Sequence, residues 1–322
     1  MQLRKILEQL CAQPGVSGHE REMIGPKVAE LIGGETDELG NVYKKIGDGN
    51  KKIIVEAHMD EVGFKITRSY HDAWVYFVPI GDLDAQKQFN ARVIAVSPSR
   101  NYKGVIRGGK TIGEQQIEFW NTDESETLDI KPDDYAYFER RFNLKDGFVI
   151  SPALDNRGSL AALCLLANSL RPKKDITFYL LGSVHHEQGG SCGFRHFEQK
   201  IKPDLVVCLD SAYAKPCDKE NNWWLIPEIG MGPAIQTLGR GFLPDTDLVT
   251  KLKNVAEQNK IPYQLEIIQP DRVCLSVSYS PSRKVAINIP VQNRHTGESK
   301  CSLNDIRNSY KLVKLFLEKV KI

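Results

Sequence analysis

Residues 53–63, IIVEAHMDEVG, restrict the fold more than any other stretch of the chain. The β-branched run Ile53, Ile54, Val55 signals a buried strand, and period-two alternation sends His58 and Asp60 off the same side of its end. In α/β proteins ligand sites form beyond the carboxyl ends of strands, so an imidazole and a carboxylate leaving there together suit a metal ligand and the carboxylate that orients it. A simple His–Asp hydrogen bond at a strand terminus accounts for the same spacing, and the motif alone does not decide.

The rest of the chain supplies the frame. Residues 3–10 have helical spacing and 12–20 are rich in turn formers. Ser17-Gly18-His19-Glu20 then reads as the start of a second helix with Ile24, Val28, Leu31 and Ile32 as its apolar stripe. Residues 38–41 give turn chemistry between two short strands. From 64 to 148 the pattern changes to short strand-like runs (74–80, 91–96, 103–106, 116–120, 135–142) separated by Gly, Asp, Asn or Pro, without a convincing amphipathic helix. Alternation then resumes: helix at 155–170, strand at 175–184, short helix at 192–199, strand at 204–210, helix at 247–258, strands at 264–268 and 284–289, and an amphipathic helix at 303–319. This predicts an α/β fold, a mixed sheet covered by helices on both faces, assembled from residues 1–63 and 149–322, with a small β-barrel-like domain inserted at 64–148.

Composition excludes several classes of function. With 43 basic and 41 acidic residues the formal charge is +2, and no long like-charge block occurs, so neither nucleic acid nor a membrane surface is an expected partner. No apolar stretch approaches the roughly 18–20 residues of a membrane span, and the N-terminus lacks a signal-peptide pattern. The seven cysteines are odd in number, dispersed and never spaced Cys-x-x-Cys, which reads as reduced thiols in a cytoplasmic protein.

Polar groups that a core would not select recur after the strands. Ala153-Leu154-Asp155-Asn156-Arg157 puts an acid at a helix N-terminus, where an N-cap is the simpler explanation. LGSVHHEQGG runs an apolar strand into His185-His186-Glu187, and two histidines beside a glutamate are hard to explain as packing. Val206-Val207-Cys208-Leu209 stops in Asp210, and AINIPVQNRHT carries His295. Taken together, His58, Asp155, Glu187, Asp210 and His295 offer two imidazoles and three carboxylates, enough to hold two borderline divalent ions joined by a bridging carboxylate. Such a pair of ions acidifies water and polarises a carbonyl, which is hydrolase chemistry.

In PGVSGHE, DELGN, AHMDEVG, the β insertion, ALDNR, the glutamate before Gln188-Gly189, the strand ending in Asp210 and the late proline-to-histidine segment, the sequence resembles metallopeptidase family forty-two, the glutamyl and tetrahedral aminopeptidases, some formerly labelled endoglucanases. The resemblance spans nearly the whole chain. It implies a dinuclear zinc-peptidase type of fold in which Asp155 bridges two ions, zinc or cobalt. His58 and Asp210 would hold one of these ions, Glu187 and His295 the other, and Asp60 would fix the His58 ring. It further implies a peptide substrate cut at its N-terminus and homo-oligomers, dimers or dodecamers, joined through the insertion. Phe89, Trp120 and Tyr137 are candidate contacts there.

Two departures from the family pattern stand out. Where the family has two adjacent glutamates, the first a general base, this chain has His186 before Glu187, which makes His186 the candidate proton shuttle. Where the family has Gly-Gly-Thr-Asp-Ala near the substrate, this chain has Pro270-Asp271-Arg272-Val273-Cys274 and then Leu275-Ser276-Val277-Ser278-Tyr279. Three functions are therefore open at this stage: a metal-dependent aminopeptidase of impaired or altered activity, a non-catalytic metal-binding oligomer, and a hydrolase of another amide such as an N-acyl amino acid.

Overall fold

The computed structural model describes residues 2–70, 74–119, 128–189, 192–216, 225–239, 241–268 and 276–320. In chain order these give α1 (Gln2–Ala12), α2 (Gly25–Ile32), β1 (Glu35–Thr36), β2 (Val42–Ile46) and β3 (Lys51–His58). Then come β4 (Gly63–Tyr70), β5 (Trp74–Ile80), α3 (Ala85–Gln88), β6 (Arg92–Val96), β7 (Asn101–Gly108), β8 (Gln115–Phe119) and β9 (Tyr135–Phe138). Next are β10 (Asn143–Lys145), β11 (Phe148–Ile150), α4 (Leu154–Ser169), β12 (Ile176–Ser183), α5 (Cys192–Ile201) and β13 (Leu205–Tyr213). The chain closes with β14 (Ala234–Leu238), α6 (Thr246–Gln258), β15 (Gln264–Ile267), β16 (Arg283–Gln292), β17 (Lys300–Ser302) and α7 (Leu303–Lys319).

Eleven strands form one mixed sheet, ordered β1-β2-β12-β3-β13-β16-β17-β11-β10, with β14 paired to β15 and β16. The central strands β12, β3, β13 and β16 are parallel, so their carboxyl ends share one edge. Alternation along β3 divides its side chains: Ile53, Val55 and Ala57 enter the core built with α1, α2, α4, α6 and α7, whereas Ile54 meets Phe194 and Phe197 of α5 on the opposite face. Helix α4 lies against β3, β12, β13 and β16 beneath α1, α2 and α7, and it is buried nearly all round, with its polar residues gathered in its first turns and at its end.

The insertion is a closed antiparallel barrel, β4-β5-β8-β7-β6-β9. Its interior has a core of its own, in which Phe64 meets Phe77 and Phe138 edge to face with ring centroids 5.0 and 5.2 Å apart. The barrel strands run from Gly63 to Phe138, and β10 and β11 pair on the large sheet.

Some sequence expectations need correction. The second helix begins at Gly25, not Ser17, because the backbone of 15–18 is strapped elsewhere: Ser17 N donates to the Glu61 carbonyl (3.1 Å) and Gly18 N to the Glu20 carboxylate (2.8 Å). Pro26 then occupies the first turn, where its missing N–H costs nothing. Tyr137 is no subunit contact within easy reach, since it is buried with Val16, Ile80 and Ile94 where the barrel rests on the sheet domain. Phe89 is half exposed, and Trp120 lies outside the described residues, as do 270–275 of the altered loop.

Candidate metal centre

The strand register brings the site together before any side chain is considered. His58, the last residue of β3, pairs with Ser183 of β12, and Asp210 lies two residues beyond the Cys208–Glu56 pair, level with His58. Asp155 enters from the start of α4, where Ala153 adopts a left-handed φ of 59° and the chain turns sharply into the helix. Two bonds tie that turn to the end of β13: Asn156 Nδ2 donates to the Leu209 carbonyl (2.9 Å) and Ser159 Oγ to the Asp210 carbonyl (2.7 Å). His186 and Glu187 follow β12 after a left-handed His185 (φ 60°), and His295 (φ 59°) follows β16. Non-glycine residues in this region are uncommon, and they concentrate where function holds the backbone.

The side chains form a row. Asp210 Oδ1 lies 3.6 Å from His58 Nε2, which lies 3.3 Å from Asp155 Oδ1. Asp155 Oδ2 lies 3.0 Å from His295 Nε2, which lies 3.5 Å from Glu187 Oε1. Asp155 is central to the set. Asp60 faces the other side of the His58 ring, its Oδ1 3.4 Å from Nδ1, and its Oδ2 accepts from Glu187 N at 2.8 Å. His186 stacks on His58 with centroids 4.1 Å apart. The donor atoms of His58, Asp155 and Glu187 lie within 4.8 Å of one another, and so do those of His58, His186 and Asp210.

The electrostatics favour a cation. Burial opposes charge on His58, but the carboxylates of Asp155, Asp210 and Asp60 outweigh it and lift its pKa well above the ordinary value. Burial likewise opposes charge on Asp155, yet Arg294, His295 and His58 hold its carboxyl far below the usual range. His295 is raised to about 10, burial being overcome by Glu187 and Asp155. Among the same groups His58 Nε2, Asp155 Oδ1, Glu187 Oε1, Asp60 Oδ1 and His186 Nδ1 are buried with no hydrogen-bond partner. A lone buried group of this kind costs about 1–3 kcal/mol. His58, Asp155 and Glu187 belong to one group whose donors are within 4.8 Å of one another, which fits a divalent ion, and the nitrogen and oxygen donors suit a borderline metal. A third convergence, Asp37, Glu38 and His196, differs: Asp37 is consumed by the backbone N–H groups of 39–41 and the Asn41 side chain, and Glu38 by His196 and Lys200.

Sequence reasoning passed over three supporting residues. Arg157, fully buried, donates to the Met59 carbonyl and lies 3.5 Å from Glu61, clamping the loop that follows His58. Glu61 also pairs with Arg140 from beyond the barrel. Arg294, adjacent to His295, donates to Asp155 Oδ2 through Nε (2.8 Å) and Nη2. A buried arginine is unusual enough to attract notice, but burial is not visible in a loop sequence.

A sequence profile described as M42 glutamyl aminopeptidase matches residues 40–312. The FrvX protein of Escherichia coli K12 is 28% identical over 97% of this chain and 94% of its own, and the lysyl aminopeptidase of Pyrococcus furiosus 25% over 98% and 97%. Among solved structures, the aminopeptidase APDkam598 from the archaeon Desulfurococcus kamchatkensis superimposes with a TM-score of 0.88 at 25% identity, covering 99% of this chain and 95% of that one.

Proposed function

The chain belongs to the M42 glutamyl aminopeptidase family, and from that membership we propose that its row of buried donors holds two divalent ions, zinc or cobalt. On this reading the protein is a metal-dependent aminopeptidase that removes N-terminal residues from peptides. The single observation that carries the site assignment is the set of orphaned buried donors converging around Asp155. His58 and Asp210 would hold one ion, Glu187 and His295 the other, and Asp155 would lend one oxygen to each. When bound, such ions acidify water and polarise the scissile carbonyl.

The remaining chemistry falls to the chain itself. Asp60 holds the His58 ring from its Nδ1 side, with its backbone carbonyl 3.2 Å from that nitrogen and its Oδ1 at 3.4 Å, and its Oδ2 fixes the Glu187 backbone, so one residue sets both halves of the donor row. Arg157 and Glu61 keep the loop after β3 from moving away. His186 stands beside the row with a buried, unpartnered Nδ1, which is placed to accept a proton from water and return it to the leaving amine. Because its ring also converges with His58 and Asp210, a ligand role is the second reading for this residue.

The test is a chelation and restoration assay on aminoacyl chromogenic substrates, followed by His186→Glu. Activity lost to chelator and regained with zinc or cobalt is expected. A carboxylate is the better base beside divalent ions, and General acid–base catalysis is worth about 10²–10⁴-fold, so His186→Glu should raise turnover within that range. No metal-dependent hydrolysis in either form would remove the peptidase reading.

Assembly completes the proposal. The sheet domain forms the catalytic part, and the barrel, residues 63–138 against the expected 64–148, the part that joins subunits into a dimer or dodecamer, β10 and β11 staying with the large sheet. The support is apolar surface on the insertion: Val78 is 47% and Phe89 50% exposed. Light scattering at micromolar concentration should give a mass above the 36.3 kDa of one chain. Among the described residues no helix is long and apolar enough to cross a membrane, and Cys11, Cys164, Cys192, Cys208 and Cys301 are free thiols. A reducing, cytoplasmic setting accords with those thiols.

A further inference from the structure

The two oxygens of Asp155 have different partners. Oδ1 has no hydrogen bond and faces the equally unpartnered Nε2 of His58 at 3.3 Å. Oδ2 is saturated: it accepts from Arg294 Nε at 2.8 Å, from Arg294 Nη2, and from His295 Nε2 at 3.0 Å. The guanidinium is itself well held. It is buried, its Cζ sits 4.5 Å over the Tyr213 ring, and Nη1 lies 3.4 Å from the Ser211 carbonyl. Three segments therefore fix one cation against one oxygen: the start of α4, the end of β13 and the turn after β16.

A bridging carboxylate must give one oxygen to each ion. Here the oxygen on the His58 side is bare and the oxygen on the His295 side is committed to an arginine. Resting on the two-ion assignment above, we propose that Arg294 supplies the positive charge on the second side, so that the chain takes one ion tightly and the second only when Arg294 withdraws from Asp155. Arg294 is a positioning residue in this scheme. Its delocalised charge and forked donors satisfy the Oδ2 side of Asp155, so a divalent ion taking that oxygen competes with the fork for its lone pairs. Repulsion between guanidinium and ion acts in the same direction, at a separation where charges inside a protein interact strongly.

Three features follow. The tight ion belongs to His58, Asp210 and Asp155 Oδ1, the side on which the Asp155 oxygen has no donor; Glu187 Oε1 on the other side is also without a partner, so the Arg294 contact to Oδ2 is what separates the two positions. The weak ion belongs to Glu187 and His295, and its affinity depends on a residue that is not a ligand. Removal of the arginine should improve binding at the second position while leaving the first unchanged, the opposite of what loss of a merely structural residue does.

The experiment is zinc titration of apo-protein against a chromophoric chelator, with ions retained after dialysis counted by elemental analysis. The wild type should retain one zinc per chain and bind a second at least about tenfold more weakly, a gap of about 1.4 kcal/mol. Arg294→Gln should retain two. Arg294→Lys, which keeps the charge and loses the fork, guards against a misfolded glutamine variant and should lie between. Two zinc ions of similar affinity in the wild type would overturn the inference while leaving the two-ion assignment standing. So would a second-ion affinity that Arg294→Lys and a folded Arg294→Gln both leave unaltered. No retained zinc in any form would instead remove the metal assignment itself.

Discussion

Glu56 and His58 are two residues apart on one strand, both fully buried and both pointing to the α5 side of the sheet, yet their surroundings are opposite in kind. Glu56 has partners on both oxygens: Ser183 Oγ at 2.5 Å on one, Ser276 Oγ at 2.5 Å and Cys208 Sγ at 3.4 Å on the other. His58 ends in an Nε2 with no hydrogen-bond partner, beside two carboxylates. Burial of a polar group is thus common to both. The unfilled valence distinguishes them, because a fold that can satisfy Glu56 so completely has the means to satisfy His58 as well. On the proposed reading the Glu56 cluster is structural and the His58 row is the one that takes an ion.

The sharpest way to break that distinction is at Asp155. Asp155→Ala removes the shared carboxylate and exposes the Arg294 cation, so the ion that the wild type retains should be lost as well as the weaker one, and metal-dependent turnover should fall by orders of magnitude. Elemental analysis that still found a tightly held ion in this variant would contradict the role of Asp155 as a shared ligand. Glu56→Ala should act in the reverse sense. It strands the Ser183 and Ser276 hydroxyls and leaves a void, a loss of about 2–5 kcal/mol in denaturant unfolding, with zinc retention of the folded protein unchanged. Loss of zinc without loss of stability there would mean the two clusters are one.

The same contrast explains what could be read without coordinates. The β3 run and its His58-x-Asp60 ending were legible because a strand buried on both faces is apolar without interruption, and polar residues at its end stand out. Asp155, Glu187, Asp210 and His295 each follow an apolar element in the same manner. Arg294 was not legible, since an arginine next to a histidine in a loop has no local sign of burial, and its partner Asp155 is 139 positions away. Arg157 was quoted only as part of a motif, for a similar reason. Strand β4 escaped because a bulge between Ile66 and Arg68 shifts the alternation that would have shown it. Strand β14 escaped because AIQTL is short and lies between Gly-Pro and a further glycine. The start of α2 was misplaced because Ser17 does look like a cap until Glu61 claims its backbone.

Glu266 tests the boundary between the two kinds of cluster. It is buried, accepts from Asn288 Nδ2 at 2.6 Å, and burial pushes its pKa up to about 7 from 4.5, against the pull of Asn288 and Arg294. Asn288 also donates to Gln236 at 2.9 Å, but its own Oδ1 has no partner, so this cluster is neither closed nor aimed at the donor row. The sign of its pH effect is set by the raised value. Below pH 4.5 the folded and unfolded chains both carry the proton; between 4.5 and about 7 the unfolded chain releases it while the folded chain keeps it, so stability falls as pH rises. The slope from this group is at most about 1.4 kcal/mol per pH unit, and it levels off above its folded pKa. Glu266→Gln, which keeps the shape and cannot titrate, should flatten the wild-type decline across that window when unfolding is followed against pH. If the two profiles run parallel from 4.5 to 7, Glu266 is ionised in the fold, and its cluster then belongs with Arg294 and the metal row.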